Sequence, residues 1–194
     1  MPPREFRNGR SALGMAPGAP SAGAPHTIVG LPMTGIKIRD YESSDAENLN
    51  RIAVSAFDQF RDHYLDWPAM LAGLSKTSAL SATGEVIVAE LQDKFAGAVA
   101  YFGPNSQKAA FFDQRWPIIR MLVVDPAFRG KGLGRALSTE CIARAKRDES
   151  PVIALHTSPI MTVALPMYLK LGFVRAYDAP PIFGVPYAVY TKAR

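Results

Sequence analysis

From residue 36 onward, hydrophobic positions recur with the two periods of regular secondary structure. Residues 36–39 alternate between apolar and polar side chains, which predicts a half-exposed strand. Ser44 and Glu47 then have the spacing of a capping box and predict the start of a helix. The apolar positions behind them recur at helical spacing: Leu49, Ile52, Ala53, Ala56 and Phe60.

The remaining pattern adds further elements in a regular order. Strands are predicted over residues 85–91, 95–102, 118–124, 152–156, 173–177 and 186–192. A hairpin at 92–94 joins the first two of these strands. Helices are predicted at 62–75 with a bend at Pro68, from Leu133 onward, and at 162–171, where Pro166 either delays the start or kinks the helix. The order β-α-α-β-β-β-α-β-α-β-β predicts an α/β (α+β) fold, a mixed sheet with helices on both faces.

Residues 1–34 show neither period. Prolines and glycines recur there among many alanines, and such a composition does not build a core. We therefore predict a flexible, low-complexity extension over 1–34 and one folded domain over 35–194. The same prolines and glycines interrupt the apolar stretch that a secretory signal needs, and a start of translation at Met33 is an alternative.

Composition excludes several classes of protein. Cys141 is the one cysteine, so no intrachain disulfide forms, which favours a reducing, cytoplasmic location. No apolar run approaches the roughly 18 residues of a membrane span, so no membrane partner is predicted. The net charge of +5 suggests nucleic acid, but the basic residues are spread along the chain, and we predict none. His26, His63 and His156 lack metal-ligand spacing, so no metal site is predicted.

The stretch that carries most chemical information follows the apolar strand at 118–124, which Pro126 ends because proline has no N–H for a sheet. Glycines and basic residues then alternate up to the start of a helix: Arg129, Gly130, Lys131, Gly132, Gly134 and Arg135. Glycines let a ligand approach the backbone, and the first N–H groups of a helix are unpaired donors in a favourable dipole. This order predicts a site for phosphate or pyrophosphate, although a simple connecting turn is the alternative.

Two common phosphate motifs do not fit this turn. A dinucleotide fingerprint needs a glycine where Arg135 stands. A P-loop needs a serine or threonine after its lysine, and Gly132 follows Lys131. A different coenzyme is therefore expected.

The turn resembles that of the GCN5-related N-acetyltransferases, the GNAT superfamily. Their pattern L-x-V-x-P-x-x-R-G-x-G-[LIV]-G-x-x-L is met at Leu122, Val124, Pro126, Arg129, Gly130, Gly132, Leu133, Gly134 and Leu137. The resemblance implies a central twisted sheet of roughly six to seven strands flanked by about four helices. It also implies acetyl-CoA as cosubstrate, with its pyrophosphate on the amides of the turn. The implied coenzyme-binding residues are Leu122, Val123, Val124, Arg129, Gly130, Lys131, Gly132, Leu133, Gly134 and Arg135.

A second match lies near the C-terminus. Ala164, Tyr168, Gly172 and Phe173 fit the family pattern N-x-x-A-x-x-L-Y-x-x-x-G-F, whose tyrosine lies near the coenzyme sulfur. By position, the resemblance implies that Tyr168 is the general acid for the leaving thiolate, and an aromatic that only packs is the alternative. Met161 stands where the family has asparagine, so the usual side-chain hydrogen bond to the coenzyme is lost.

The reaction that the resemblance implies is direct transfer of an acetyl group from acetyl-CoA to a primary amine. The amine has a pKa of about 10 and must lose a proton, for which His156 is a candidate base, although a histidine there is more often structural. The oxyanion needs a donor, which the family takes from a backbone N–H of the central strand. This N–H maps to Val123 or Val124, and we assign Val123.

Other functions remain open at this level. A non-catalytic acyl-CoA-binding or sensing module on the same fold would keep the glycine turn but not need Tyr168. The acceptor, a small-molecule or peptide amine, would contact variable loops such as 58–67 and 103–116. The final strand could pair in a homodimer.

Overall fold

A computed structural model describes residues 35–194 of the chain. The predicted N-terminal extension over 1–34 lies outside the described residues. Within them, no helix is both long enough and apolar enough to cross a membrane.

Within residues 35–194, seven strands form a single mixed sheet. They are β1 Ile36–Asp40, β2 Glu85–Leu91, β3 Lys94–Phe102, β4 Ile118–Val124, β5 Val152–Thr157, β6 Val174–Ile182 and β7 Val185–Ala193. Their order across the sheet is β1-β2-β3-β4-β5-β7-β6, and β4 and β5 are its parallel pair. This confirms the predicted mixed fold and its order of elements.

In the described part of the chain, four α-helices cover the sheet, namely α1 Ala46–Phe57, α2 Trp67–Leu74, α3 Leu133–Arg147 and α4 Ala164–Lys170. Alternate strand residues enter two separate apolar clusters. On the α1 face, residues such as Ile118 and Ala154 pack with Ile52 and Leu74 from α1 and α2. On the α3 face, their chain neighbours pack with α3 and α4, among them Ile119, Leu155, Leu137 and Tyr168. The period of two along each strand thus places one core layer on either side of the sheet.

The starts of α1 and α2 differ from the predictions. Ser44 does not form a capping box with Glu47; instead the Glu42 N–H donates to Asp45 Oδ2 at 2.8 Å. Pro68 does not bend a helix over 62–75, because α2 begins at Trp67 and holds Pro68 in its first turn. Proline fits there, since the first N–H groups of a helix have no intrahelical partner.

The start of α4 shows that Pro166 delays the helix and does not kink it. The helix begins at Ala164, later than the predicted residue 162, and Pro166 lies in its first turn. The missing N–H of proline therefore removes no bond from the helix interior. The hairpin between β2 and β3 turns at Gln92 and Asp93, which both have φ of 55°. This is the type I′ geometry that matches the twist of the flanking strands.

The final strand has no free edge. β7 lies between β5 and β6 and pairs with both in antiparallel register. Pairing across a dimer through β7 is therefore wrong as a prediction for the folded domain, whose edge strands are β1 and β6. A homodimer formed by another surface stays a prediction.

Candidate active site

The glycine turn presents three unpaired amides at the start of α3. Gly132 precedes the helix with φ of 85° and Gly130 has φ of 76°, conformations that glycine adopts without strain. Ala136 is the first residue of α3 whose N–H has a backbone acceptor, the Gly132 carbonyl at 3.0 Å. The N–H groups of residues 133–135 before it have no intrahelical acceptor, and they carry the positive end of the helix dipole.

The three basic side chains of the turn make different contacts. Arg129 Nη2 donates to the Ala56 carbonyl at 3.1 Å, and Arg129 Nη1 lies 3.4 Å from Gln59 Oε1. This guanidinium thus ties the turn to the C-terminal end of α1, where a cation is favourable. The Lys131 ammonium lies 5.4 Å from the centre of the Phe128 ring. Arg135 is exposed and has no ion pair among residues 35–194.

Strands β4 and β5 separate shortly after they meet. They pair at Ile118 with Ala154 and at Ile119 with Leu155, and the described pairing ends there. Met121 has φ of 53°, and the register between β3 and β4 shifts by one residue around it. This β-bulge redirects β4, so its last residues have backbone groups facing a gap where β5 would otherwise lie.

The bulge decides which N–H groups face that gap. Asp125 N–H donates to the Ala96 carbonyl at 2.9 Å, in register with the pair Val123–Ala98. Hydrogen-bonded pairs alternate in an antiparallel ladder, so Val123 also bonds to β3 and Val124 points its N–H the other way. This alternation favours Val124 over Val123 as the candidate oxyanion donor, and Val124 is the other position that the family pattern allowed.

A cavity of about 330 Å³ extends from the glycine turn through this gap. Phe57, Phe60 and Met161 line it on the α1 face, and Met167 lines it on the α3 face. The predicted coenzyme residues that line it are Leu122, Val124, Arg129, Gly130, Gly132, Leu133, Gly134 and Arg135. Val123 and Lys131 are not among its lining residues. Apolar walls that end at unpaired amides and arginine suit a long ligand with an anionic end.

Tyr168 lies behind the cavity wall. Its side chain is 5% exposed, its ring packs edge-on against Phe173 at 5.8 Å, and it is not a lining residue. Burial raises the pKa of the Tyr168 hydroxyl, and nearby Ser138 partly offsets this effect. The hydroxyl therefore keeps its proton at neutral pH. Met161, in the position of the family's asparagine, lines the cavity, and Thr157 Oγ1 donates to its sulfur at 3.4 Å.

His156 is enclosed by aromatic rings on the α1 face. Its ring lies 5.6 Å from that of Phe111, 5.7 Å from that of Phe112 and 5.3 Å from that of Tyr187. Burial, with a smaller effect from the charge of Arg120, lowers the pKa of His156 to about 4. His156 Nδ1 is buried without a hydrogen-bond partner among the described residues. The imidazole is thus neutral at pH 7 and is not a lining residue of the cavity.

Two features of the site carried little signal in the sequence. The apolar wall formed by Phe57 at the end of α1 and by Phe60 just after it looked like ordinary core. Arg120 interrupts an otherwise apolar strand, and that single charge was the available hint of a polar feature there. Among residues 35–194, no cluster of three or more histidine, cysteine or acidic side chains is arranged to hold a metal ion.

The chain is similar in sequence to known proteins. The model of a family described as "Acetyltransferase (GNAT) family" matches residues 46–173. A curated relative, the S-alkylcysteine N-acetyltransferase of Bacillus subtilis, is 26% identical over 116 residues, which are 59% of this chain and 64% of the relative. The chain therefore spans less than two thirds of that protein's length.

Solved structures share the fold. A GCN5-related N-acetyltransferase from Rhodopseudomonas palustris superposes with a TM-score of 0.66 at 20% identity, over 84% of this chain and 98% of that one. A GNAT acetyltransferase from Elizabethkingia anophelis, solved with acetyl-CoA bound, gives a TM-score of 0.57 at 18% identity, over 83% and 99% of the two chains.

Proposed function

Because the chain belongs to the GNAT acetyltransferase family, we propose that it transfers the acetyl group of acetyl-CoA directly to a primary amine, without an acyl-enzyme. One observation carries this proposal. The unpaired amides at the start of α3 and the parted end of β4 line the same cavity. A diphosphate on the amides would lay the rest of the coenzyme along β4, with its thioester in the gap beside β5.

Each reacting group then has a partner on the chain. The amine attacks the thioester carbon, and the Val124 N–H that faces the gap donates to the oxyanion. Such a donor is typically worth about 3 kcal/mol of transition-state stabilisation. As the intermediate collapses, the carbon–sulfur bond breaks, the nitrogen loses its proton and the thiolate needs one. We assign proton donation to Tyr168, whose hydroxyl is protonated at neutral pH and would reach the sulfur once the cavity wall in front of it moves.

His156 is a weaker candidate for removing the amine proton. With a pKa of about 4, His156 accepts a hydrogen bond at neutral pH but holds a proton poorly. We propose that His156 orients the neutral amine and that water carries the proton away. The acceptor amines to test first are those of amino acids, because the Bacillus subtilis relative is named for N-acetylation of an S-alkylcysteine.

A second function has a specific observation in its favour. No aspartate, glutamate, histidine, lysine, cysteine or tyrosine lines the described cavity, so a non-catalytic acyl-CoA-binding or sensing module is the alternative. It would bind the coenzyme equally well. It would release no thiol in the presence of amines.

Two measurements test the proposed function. Acetyl-CoA at a hundred times its Kd should add about 2.7 kcal/mol to the stability and raise the melting temperature. An amine panel with acetyl-CoA, monitored by free thiol, should then show acceptor-dependent release. A melting shift without thiol release from any amine would favour the sensing module, and no shift at millimolar acetyl-CoA would reject both.

A further inference from the structure

Arg120 has a charge without a carboxylate partner near the gap between β4 and β5. Ion pairs hold most arginines of the described residues, including Arg39, Arg115 and Arg144, but none involves Arg120. Its guanidinium instead lies over the ring of Phe102, with Cζ 5.9 Å from the ring centre. An exposed arginine usually has water as its partner, so the surroundings decide whether this one is poised for a ligand.

Those surroundings are the α1 face of the sheet beside the gap. The Arg120 guanidinium is exposed and packs on the Phe102 ring, and partial loss of hydration lowers the pKa of Arg120. A charge–charge interaction is stronger in such a place than on an open surface, because less water screens it.

An aromatic cluster lies on the same face of the sheet as Arg120. Ile118 of β4 and Ala154 of β5 share the α1 face, so Arg120 and His156, two residues further along each strand, also share it. The rings of Phe111 and Phe112 stack on His156, and the Tyr177 hydroxyl fixes their loop by donating to the Phe111 carbonyl at 2.8 Å. A fixed apolar wall, a bare guanidinium and the unpartnered His156 Nδ1 therefore lie together.

Arg120 follows Ile119, the last residue of β4 that pairs with β5, so it lies where the gap opens. Strands rise about 3.3 Å per residue, so the backbone of Arg120 lies within roughly 13 Å of that of Val124. The Arg120 side chain lies over Phe102 of β3 and would turn toward β5 to hold a ligand in the gap. A carboxylate held by Arg120 would thus leave a neighbouring amine near the thioester. In an α-amino acid one carbon separates the two groups, whereas in a peptide the carboxylate is remote from the terminal amine.

We propose that Arg120 binds the α-carboxylate of the acceptor, and that the acceptor is a free α-amino acid whose apolar side chain packs on the half-buried Phe111. This rests on the proposed function and narrows its acceptor class. The guanidinium would make paired hydrogen bonds to the carboxylate.

The test compares acceptors that differ in one group. Phenylalanine, phenylalaninamide and phenethylamine share an aromatic side chain and an amine, but only phenylalanine has a carboxylate. Methionine with 3-(methylthio)propylamine repeats the comparison without a ring. We expect kcat/KM to be about tenfold to a hundredfold higher for the amino acids, the range of a charge-assisted bidentate contact. Phenylalaninamide is a stringent control. Without the neighbouring carboxylate its amine has a lower pKa, so a larger fraction of it is neutral and able to attack.

Variants separate recognition from folding. Arg120→Met should remove the preference for the carboxylate and leave kcat/KM for phenethylamine within about twofold, whereas Arg120→Lys should keep part of the preference. Arg175→Met on edge strand β6 is the matched control and should change neither. The melting shift with acetyl-CoA should persist in all three variants.

The outcomes distinguish the two proposals. Equal rates with and without the carboxylate, or acetyl-CoA binding with no acetylation of any apolar amino acid, would overturn the role of Arg120. Thiol release with amines would still support the acetyltransferase in the first case. If the unmodified protein does not bind acetyl-CoA, the proposed function itself is overturned.

Discussion

Gly134 faces Met167 so closely that a β-carbon at residue 134 would lie 3.4 Å from the Met167 sulfur. The same β-carbon would be 3.7 Å from Leu122 Cδ2. The start of α3 is thereby packed against both α4 and β4, and all three contribute to the cavity wall. A single added methyl group would make ordinary contacts here and residue 134 has no positive φ, so only a larger side chain should crowd the wall.

Enlarging residue 134 should narrow the cavity. In Gly134→Ala the flexible methionine can shift, so we expect acetyl-CoA affinity to fall by less than about threefold. In Gly134→Val the added methyl groups meet Leu122 and Met167, and affinity should fall about tenfold or more. Titration calorimetry with acetyl-CoA measures both. Equal affinity for all three proteins would contradict this account of the wall.

Gly130 is constrained by its backbone instead. It has φ of 76° and open space around its α-carbon, so Gly130→Ala should cost about 1 kcal/mol through left-handed strain alone. Gly73 in α2 also has open space but no positive φ, and Gly73→Ala should stabilise by about 0.5–1 kcal/mol. Urea unfolding of both variants provides the comparison. A stabilised Gly130→Ala protein would show that this turn is not held in the left-handed conformation.

Tyr168→Phe tests the proposed acid. The phenyl ring fills the same space, so the free energy of unfolding should change by less than about 1 kcal/mol. Thiol release at saturating acetyl-CoA should fall about a hundredfold, the typical contribution of a general acid. Ser138→Ala, which alters the neighbour of the hydroxyl, should have a much smaller effect on the rate. An unchanged rate in Tyr168→Phe would make this tyrosine a packing residue.

Asp45 and Arg39 form an enclosed ion pair that fixes the start of α1, with Arg39 Nη1 2.7 Å from Asp45 Oδ2. The hydrogen bonds from Arg39 lower the pKa of Asp45 below its ordinary value. The stabilisation is therefore complete above the unfolded pKa of about 3.9 and is lost as pH falls through the folded value. Asp45→Asn should cost about 2 kcal/mol at pH 7 and much less at pH 3. The exposed pair of Arg61 and Asp58 is the control, and Asp58→Asn should cost under about 0.5 kcal/mol.

His156 should make stability depend on pH in a higher window. Its pKa falls from 6.5 to about 4 on folding, so between these values the unfolded chain binds more protons. Stability should therefore decrease by about 2 kcal/mol between pH 7 and pH 4.5. His156→Phe keeps the aromatic packing and should flatten this slope in urea unfolding. Parallel pH profiles for the two proteins would show that the ring is not enclosed as described.

Local sequence patterns predicted most of the framework. Hydrophobic periods predicted the order of elements, and alternating glycines predicted the amides at the start of α3. These features depend on residues close together in the chain, so a single sequence carries them. Helix starts were less well predicted, because Asp45 pairs with Arg39 rather than leaving the cap to Ser44.

Features of the site that depend on distant residues were not predictable in the same way. The bulge at Met121 has no glycine or proline to mark it, yet it reverses which of Val123 and Val124 faces the gap. Arg129 lines the cavity, but the sequence did not predict that its guanidinium also reaches the end of α1, which lies over seventy positions earlier in the chain. Tyr168 and His156 were assigned by position, and their burial depends on how α4 and the loop before β4 pack.

The early separation of β4 from β5 has a mechanical consequence. Strands β4 and β5 pair at Ile118 and Ile119, and this short parallel contact, the seam, joins two parts of the sheet. The two parts, here called plates, are β1 to β4 and β5 with β7 and β6. Widening the gap for a thioester therefore distorts the seam and breaks no long ladder of hydrogen bonds. Amide hydrogens along the seam should accordingly exchange with deuterium faster than those between β2 and β3, and a bound coenzyme that bridges the plates should slow them.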